Sequence, residues 1–338
     1  SGGLGGIYSN TTNPKGFNAL GSSVALALRA GALASDLEYV QFHPTALTLP
    51  GEAKFLLSEA LRGEGAVLRD DEGRAFAKDF HEDGELAPRD VVSRGVYNKL
   101  KTSPVFLDIT HRDAAWIDGR FPSIQEHLKK RGLDLSRDRL PISPASHYTC
   151  GGITVDEHGL TNIKGLYAAG ESACTGLHGG NRLASTSLLE GLVWGAAVAD
   201  HVGQNGQITN IENGSEINGS RYIAHNSKVN DSTYLETSRR NSKEAELLLT
   251  KLRKTMWEKV GVVRSVSGTA EAMESLHDLK QASIELFEET PNTETTGLRD
   301  ASYAGEAVAR AAHYNRQSKG AHCIEEDEDM RNDVVMAS

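Results

Sequence analysis

Five side chains in this sequence could together grip an anion: His43, Arg62, Arg89, His147 and Arg182, each at the end of an expected element. A small dicarboxylate needs several such donors, because a guanidinium holds a carboxylate through two parallel N–H bonds. Taken singly, each arginine is more simply read as half of an ordinary surface ion pair. Arg89 follows Pro88, a residue that can open a helix, so its cation falls in the first turn. There it faces the positive end of the helix dipole, at a cost of a few tenths to about 1 kcal/mol that Asp90 partly offsets. An unfavourable placement of this kind hints at use. Glu59 and Arg62 lie three apart and share a helix face, either as a surface pair worth under about 0.5 kcal/mol or as a proton relay along a cleft. Ser187 and Leu188 follow a Gly-rich loop, residues 176–180, where a helix begins and its free N–H groups suit an anionic group. Such a loop alone is weak evidence, since most serve only as turns.

The elements that must position these residues follow from pattern. Residues 24–28 read as a buried helix and residues 37–42 as a strand that stops at His43-Pro44, because proline forces extended geometry on the residue before it. Residues 55–61 have helical spacing, and a second helix runs from Pro88 through Val91, Val92, Val96 and Leu100. Residues 105–109 form a short strand, residues 141–180 alternate short strands with glycine turns, and residues 166–169 make a compact apolar strand. A helix is expected from about Ser185 to about Ala199. Residues 203–236 are rich in Asn, Gly and Ser and read as a linker or surface insertion. Helical stripes containing Leu247, Leu248, Leu249, Leu252, Met256 and Val260 then carry the chain to residue 312, before an acidic tail at 325–329.

The 338 residues suffice for two or three domains with real cores, and 38% hydrophobic with 24% charged residues fits a folded soluble protein. A net charge of −10 argues against a nucleic-acid or anionic-membrane surface, which needs a basic face. The three cysteines, Cys150, Cys174 and Cys323, are scattered and give neither a disulfide framework nor metal-ligand spacing, which points to a reducing compartment and no metal. No apolar run reaches the length of a membrane span.

Six stretches in order resemble one family, the L-aspartate oxidases of the succinate dehydrogenase/fumarate reductase flavoprotein superfamily. Gln41-Phe42-His43-Pro44-Thr45 resembles its substrate-binding motif, Ser58-Glu59-Ala60-Leu61-Arg62-Gly63-Glu64-Gly65 its Thr-Glu-x-x-Arg helix, and Ala87-Pro88-Arg89-Asp90 the segment of its catalytic arginine. Pro144-Ala145-Ser146-His147-Tyr148-Thr149-Cys150-Gly151-Gly152 is similar to its histidine motif. Gly165-Leu166-Tyr167-Ala168-Ala169-Gly170-Glu171 resembles a strand that contacts FAD, and Gly179-Gly180-Asn181-Arg182-Leu183-Ala184-Ser185 the loop bringing a substrate-binding arginine to the flavin.

The resemblance implies FAD-dependent oxidation of L-aspartate to iminoaspartate with oxygen or fumarate as acceptor, the first step of de novo NAD biosynthesis, with quinolinate synthase as a functional partner and a cytoplasmic location, or plastid in a plant or alga. It implies that His43, His147 and Arg182 clamp the carboxylates with Thr45 and Ser58 assisting. By the same resemblance, Arg89 would move a proton supplied through Glu59 and Arg62, and Gly170, Glu171, Asn181, Ser187 and Leu188 would bind the cofactor. A fumarate reductase or succinate dehydrogenase flavoprotein, or a catalytically silent truncated fragment, stand as alternatives. The pattern departs at Gly21-Ser22-Ser23, where the family usually has Gly-Asp-Gly. No Gly-x-Gly-x-x-Gly opens a βαβ unit, so the chain is expected to lack the N-terminal FAD-binding segment and to hold FAD weakly. The implied architecture is an incomplete α/β FAD-binding domain (1–35 and 150–203), an α+β capping domain (36–149), the linker or insertion (204–236), a C-terminal helical bundle (237–320) and a tail (321–338).

Overall fold

The computed structural model describes residues 3–13, 19–205 and 232–326. Most of the expected linker, and the tail from residue 327 onward, lie outside the described residues.

In chain order the elements are α1 (Ser22–Arg29), β1 (Ala34–Ser35), β2 (Val40–Leu47), β3 (Phe55–Leu56), α2 (Glu59–Gly63), β4 (Val67–Asp70), α3 (Arg89–Leu100), β5 (Val105–Asp108), α4 (Ala114–Arg120), α5 (Pro122–Lys129) and β6 (Leu140–Thr149). There follow β7 (Gly152–Thr154), β8 (Ala173–Cys174), α6 (Thr186–Asn205), α7 (Ser232–Lys259), β9 (Arg264–Ser265), α8 (Val266–Glu289), α9 (Thr293–Tyr314) and β10 (Ile324–Glu325).

A five-stranded antiparallel sheet, in the order β3-β2-β6-β5-β4, forms one body of the molecule. Helix α3 lies on it through Val92 and Val96, which join Leu47, Leu61, Leu68, Leu107, Ile117, Leu128 and Ile142 in one apolar core. Ser93 pins the helix to the sheet by donating to the Phe42 carbonyl at 2.6 Å, which fixes where α3 presents its first residue, Arg89. A second core joins Leu4, Ile7, Val24, Val40 and Phe42 to the long helices through Leu252, Met256, Leu276 and Val308. Two of those helices, α8 and α9, begin at well-made caps. Ser265 accepts the Gly268 N–H at 3.0 Å at the start of α8, and Asn292 and Thr295 form a reciprocal capping box at the start of α9. A three-stranded sheet, β1-β7-β8, lies under α1.

Several expectations need correction. The strand expected to stop at His43-Pro44 runs on to Leu47, with the pairing of β2 to β6 shifting register between His43 and Ala46. Proline has no N–H for a ladder, and an irregularity of this kind is where a strand tolerates one. Residues 55–61 are not one helix: Phe55 and Leu56 pair with β2, and α2 begins only after Ser58, whose hydroxyl accepts the Ala60 N–H at 3.3 Å. The apolar stretch 166–169 makes one isolated bridge, Tyr167 to Leu160, rather than a strand. Leu247, placed by spacing on the buried stripe of α7, is exposed, while Leu252, Met256 and Val260 are buried.

Candidate active site

A cavity of about 540 Å³ opens where β2, α2, α3, β6 and the start of α6 meet. His43 and Arg89 reach it from the sheet and α3, His147 from β6, and Arg182 from the loop before α6. Ser58 and Glu59 line it from the start of α2, and Ser187 and Leu188 from the start of α6. Residues spread over some 145 positions of sequence are thus brought to one space.

The two imidazoles face each other edge to face with ring centres 5.2 Å apart. His43 is almost fully buried, and its Nδ1 accepts the Thr45 N–H at 3.3 Å, which leaves the proton on Nε2. Burial, then the neighbouring His147, Arg89 and Arg62, hold its pKa well below the ordinary histidine value. His147 is pushed down to about 4 by burial and by Arg89 and Arg182, and its Nδ1 is hydrogen-bonded to Thr12 at 3.2 Å. Both rings are therefore neutral near pH 7, and the positive charge of the cavity comes from the guanidinium groups.

Arg89 donates from Nε to the Glu59 carboxylate at 2.5 Å and from Nη1 to the Gln41 side-chain oxygen at 3.1 Å. Behind Glu59, at 3.7 Å, lies Arg62, buried and donating to the Glu85 carbonyl at 2.6 Å. Burial lowers the Arg62 pKa, with the Glu59 charge working the other way, and its Nε and Nη2 have no hydrogen-bond partner. The result is a row, Arg62, Glu59, Arg89, that begins in the interior and ends at the cavity.

Arg182 is 5% exposed, and its guanidinium centre lies 4.2 Å from the Tyr148 ring centre. Its Nη1 reaches the Leu183 carbonyl at 3.3 Å and the Ser187 hydroxyl at 3.5 Å, and its Nε is buried without a partner. Thr45 does not line the cavity. It sits behind His43, its hydroxyl donating to the Leu57 carbonyl at 2.9 Å.

The residues assigned to a cofactor divide. Ser187 and Leu188 border the cavity at the first turn of α6, where N–H groups without helical partners and the positive end of the dipole suit an electron-rich ring edge. Leu188, Leu189 and Leu192 leave an exposed apolar surface beside them, fit for a flat ring. The Glu171 carboxylate accepts the Thr149 N–H at 3.1 Å and stands against Gly3, where a side chain would come within 2.8 Å of it. Burial raises its pKa. Gly170 approaches α6 at Gly191. Asn181 is committed to the protein: its amide nitrogen donates to Asp90 at 2.7 Å and its oxygen accepts from Gln41 at 2.9 Å. The donor set and the apolar ledge fit a flavin.

Sequence reasoning gave no role to three residues that organise the site. Gln41, fully buried, ties Arg89 to Asn181 and to the Arg182 carbonyl, the last at 2.7 Å. Its signal was available: an amide inside the apolar run Val40-Gln41-Phe42 must be satisfied by something. Thr12 and Tyr148 gave no such signal, since their partners are 135 and 42 positions away. Among the described residues no cluster of three or more His, Cys, Asp or Glu could hold a metal ion, and no helix is long and apolar enough to cross a membrane.

Comparison with known proteins places these features in context. The family described as FAD binding domain matches residues 1–188, and that described as fumarate reductase flavoprotein C-term matches residues 249–337. An L-aspartate oxidase from Yersinia pestis is 38% identical over 331 residues, covering 95% of this chain and 58% of the relative. Another from Nostoc sp. is 52% identical over 207 residues, covering 59% of this chain and 36% of the relative. Among solved structures, an E. coli quinol fumarate reductase superposes with a TM-score of 0.77 at 26% identity, covering 97% of this chain and 59% of that one. A quinol–fumarate reductase with menaquinol gives 0.78 at 28%, covering 97% and 60%. The chain thus spans rather more than half the length of several relatives it matches.

Proposed function

Because the chain belongs to the FAD-binding flavoproteins of the succinate dehydrogenase/fumarate reductase superfamily, we propose that it serves the oxidation of L-aspartate to iminoaspartate. The observation that carries the reading is the convergence of neutral His43 and His147 with the guanidinium groups of Arg89 and Arg182 on one cavity.

FAD, when bound, supplies the two-electron acceptor of the reaction, with oxygen or fumarate as its own oxidant. Ser187 and Leu188, at the dipole end of α6, and Glu171 would hold it. The chain's own residues do the rest. Arg182 takes one carboxylate on guanidinium edges that no carboxylate of the described chain occupies within ion-pair distance, since its nearest polar contacts are a carbonyl and a hydroxyl. His43 donates from Nε2, and His147 and the Ser58 hydroxyl complete the grip. Gripping both ends fixes the substrate's central carbons, and such orientation supplies much of the rate. Arg89 exchanges a proton with the substrate. A guanidinium titrates too high to do this unaided, and the Glu59 carboxylate at 2.5 Å, backed by Arg62, provides the route by which its proton is restored. The sheet that carries His43 and His147 would close over the flavin when it is bound, limiting the entry of water to the cavity. Iminoaspartate is unstable, which makes quinolinate synthase the consumer expected downstream.

The test is to add L-aspartate anaerobically to the flavin-loaded protein and follow the flavin absorbance. Bleaching by L-aspartate but not by succinate, with peroxide formed once air is admitted, is the expected result. Bleaching by succinate alone would favour the second reading, a fumarate reductase or succinate dehydrogenase flavoprotein, for which the superposition on quinol fumarate reductases speaks.

A further inference from the structure

Arg182 presents an electrostatic problem that its direct contacts do not solve. It is buried, and among the described residues no carboxylate lies within ion-pair distance of it. A buried charge without a partner is costly. What lies against it is the face of the Tyr148 ring, 4.2 Å from the guanidinium centre, well inside cation–π range.

Tyr148 is itself anchored. Its hydroxyl donates to the Glu190 carboxylate at 2.9 Å. His178 Nε2 meets the same oxygen at 2.9 Å, and the Thr175 hydroxyl donates to the other at 2.5 Å. Tyr148, His178 and Glu190 are all buried, with Glu190 only 1% exposed. Burial works against the Glu190 charge, but the bonds from His178, Thr175 and Tyr148 outweigh it and its pKa is lowered. The carboxylate is therefore ionised, and a phenol donating to an ionised carboxylate has an electron-richer ring.

We infer that Tyr148 is a positioning residue for Arg182, its ring holding the guanidinium in place and relaying the negative charge of Glu190 to it. This assignment rests on the reading of Arg182 as a carboxylate-binding group. The arrangement has a consequence a direct salt bridge would not. A carboxylate touching Arg182 would occupy the N–H groups that must bind the substrate, whereas a ring face balances the charge and leaves the edges free. The three elements that meet at Arg182 are locked by the same network: Tyr148 belongs to β6, beside His147, Glu190 to α6, and Thr175 and His178 to the loop between them.

The experiment has two readouts, applied to the wild type and to Tyr148→Phe, Tyr148→Leu and Glu190→Gln. The first needs no ligand: the Arg182 Nε–H resonance, assigned by its loss in Arg182→Lys, should be shifted upfield by the ring beneath it. The shift should survive in Tyr148→Phe and vanish in Tyr148→Leu. The second is the dissociation constant for malonate by calorimetry. It should rise roughly ten-fold in Tyr148→Leu, by less in Tyr148→Phe and Glu190→Gln, and not at all when Tyr148→Leu is added to Arg182→Met. No ring shift in the wild type, or a Tyr148→Leu effect that persists without Arg182, overturns the inference. A ring-shifted Arg182 in a protein that does not bind malonate supports the positioning while sinking the functional reading on which its use depends. Tyr148→Phe, which keeps the packing, guards against a result due only to misfolding.

Discussion

The Glu59 carboxylate sits between two guanidinium groups, 2.5 Å from Arg89 Nε and 3.7 Å from Arg62 Nη2, and only Arg89 of the two reaches the cavity. A carboxylate placed so can carry a proton to or from Arg89, with the Arg62 guanidinium beside it. Glu59→Gln preserves shape and removes that capacity. The rate of flavin reduction by L-aspartate should fall by about 10²–10⁴-fold, the range for loss of a general acid or base. Malonate affinity should change by less than about ten-fold, because Glu59 is not among the donors that grip the diacid. Stopped-flow reduction and calorimetry on one preparation separate the two. Equal losses in both would make Glu59 a structural residue.

Gln41 tests whether the two cavity arginines are held by one support. Gln41→Leu removes its bonds to Arg89, Asn181 and the Arg182 carbonyl together, and leaves buried polar atoms without partners. Each orphaned group costs about 1–3 kcal/mol, so a loss of roughly 2–5 kcal/mol is expected from chemical denaturation. The affinity for malonate should drop as well, since the Arg182 backbone loses its anchor.

How far the site could be read beforehand follows from the same residue. The ends of the grip, His43, Arg89, His147 and Arg182, were legible because each sits in a short stretch whose residue types announce chemistry. The supports were less so: Gln41 announced itself only as an amide in an apolar run, without naming its partners. Thr12, Gln41 and Tyr148 act through partners between 42 and 141 positions away or through a ring face, and local pattern does not say which partners those are. The same limit shows in the fold. The helix α3 was legible from Pro88 and its apolar spacing, but the continuation of β2 past Pro44 depends on a register shift against β6, which only the paired strand can accommodate.

The histidines predict a pH dependence with a definite sign. His147 and the fully buried His322 both have pKa values of about 4, each by burial first, then by Arg89 and Arg182 for His147 and by Arg264 for His322. The unfolded chain, with histidines near 6.5, therefore takes up protons before the folded one does as pH falls. Their contribution is complete above about pH 6.5 and is lost as pH falls toward 4, at up to about 1.4 kcal/mol per pH unit for each group. Melting temperatures should fall steadily from pH 7 to 5, and His322→Gln should flatten part of that slope. Malonate binding should be nearly constant over pH 6–8, because neither cavity ring changes charge there. A steep rise in affinity on acidification through pH 6.5 would mean that one of them is a cation.

Gly320 links the C-terminal segment to the grip. Its φ is +54°, and a side chain there would come within 2.3 Å of the Gly180 carbonyl, two residues before Arg182. That carbonyl accepts the Ala321 N–H at 2.7 Å, and the Gly320 carbonyl accepts from Arg94 at 2.8 Å, which in turn pairs with Asp90 beside Arg89. Gly320→Ala should therefore do two things: strain the left-handed backbone, by about 1 kcal/mol, and push the Arg182 loop away. Gly51→Ala separates them, since Gly51 has φ +75° and nothing within 4 Å of an added side chain. Both variants should lose a few degrees of melting temperature. Only Gly320→Ala should raise the KM for L-aspartate several-fold. If Gly51→Ala raised it equally, the effect would be one of general stability, and the close approach of Gly320 to Gly180 would play no part in holding Arg182.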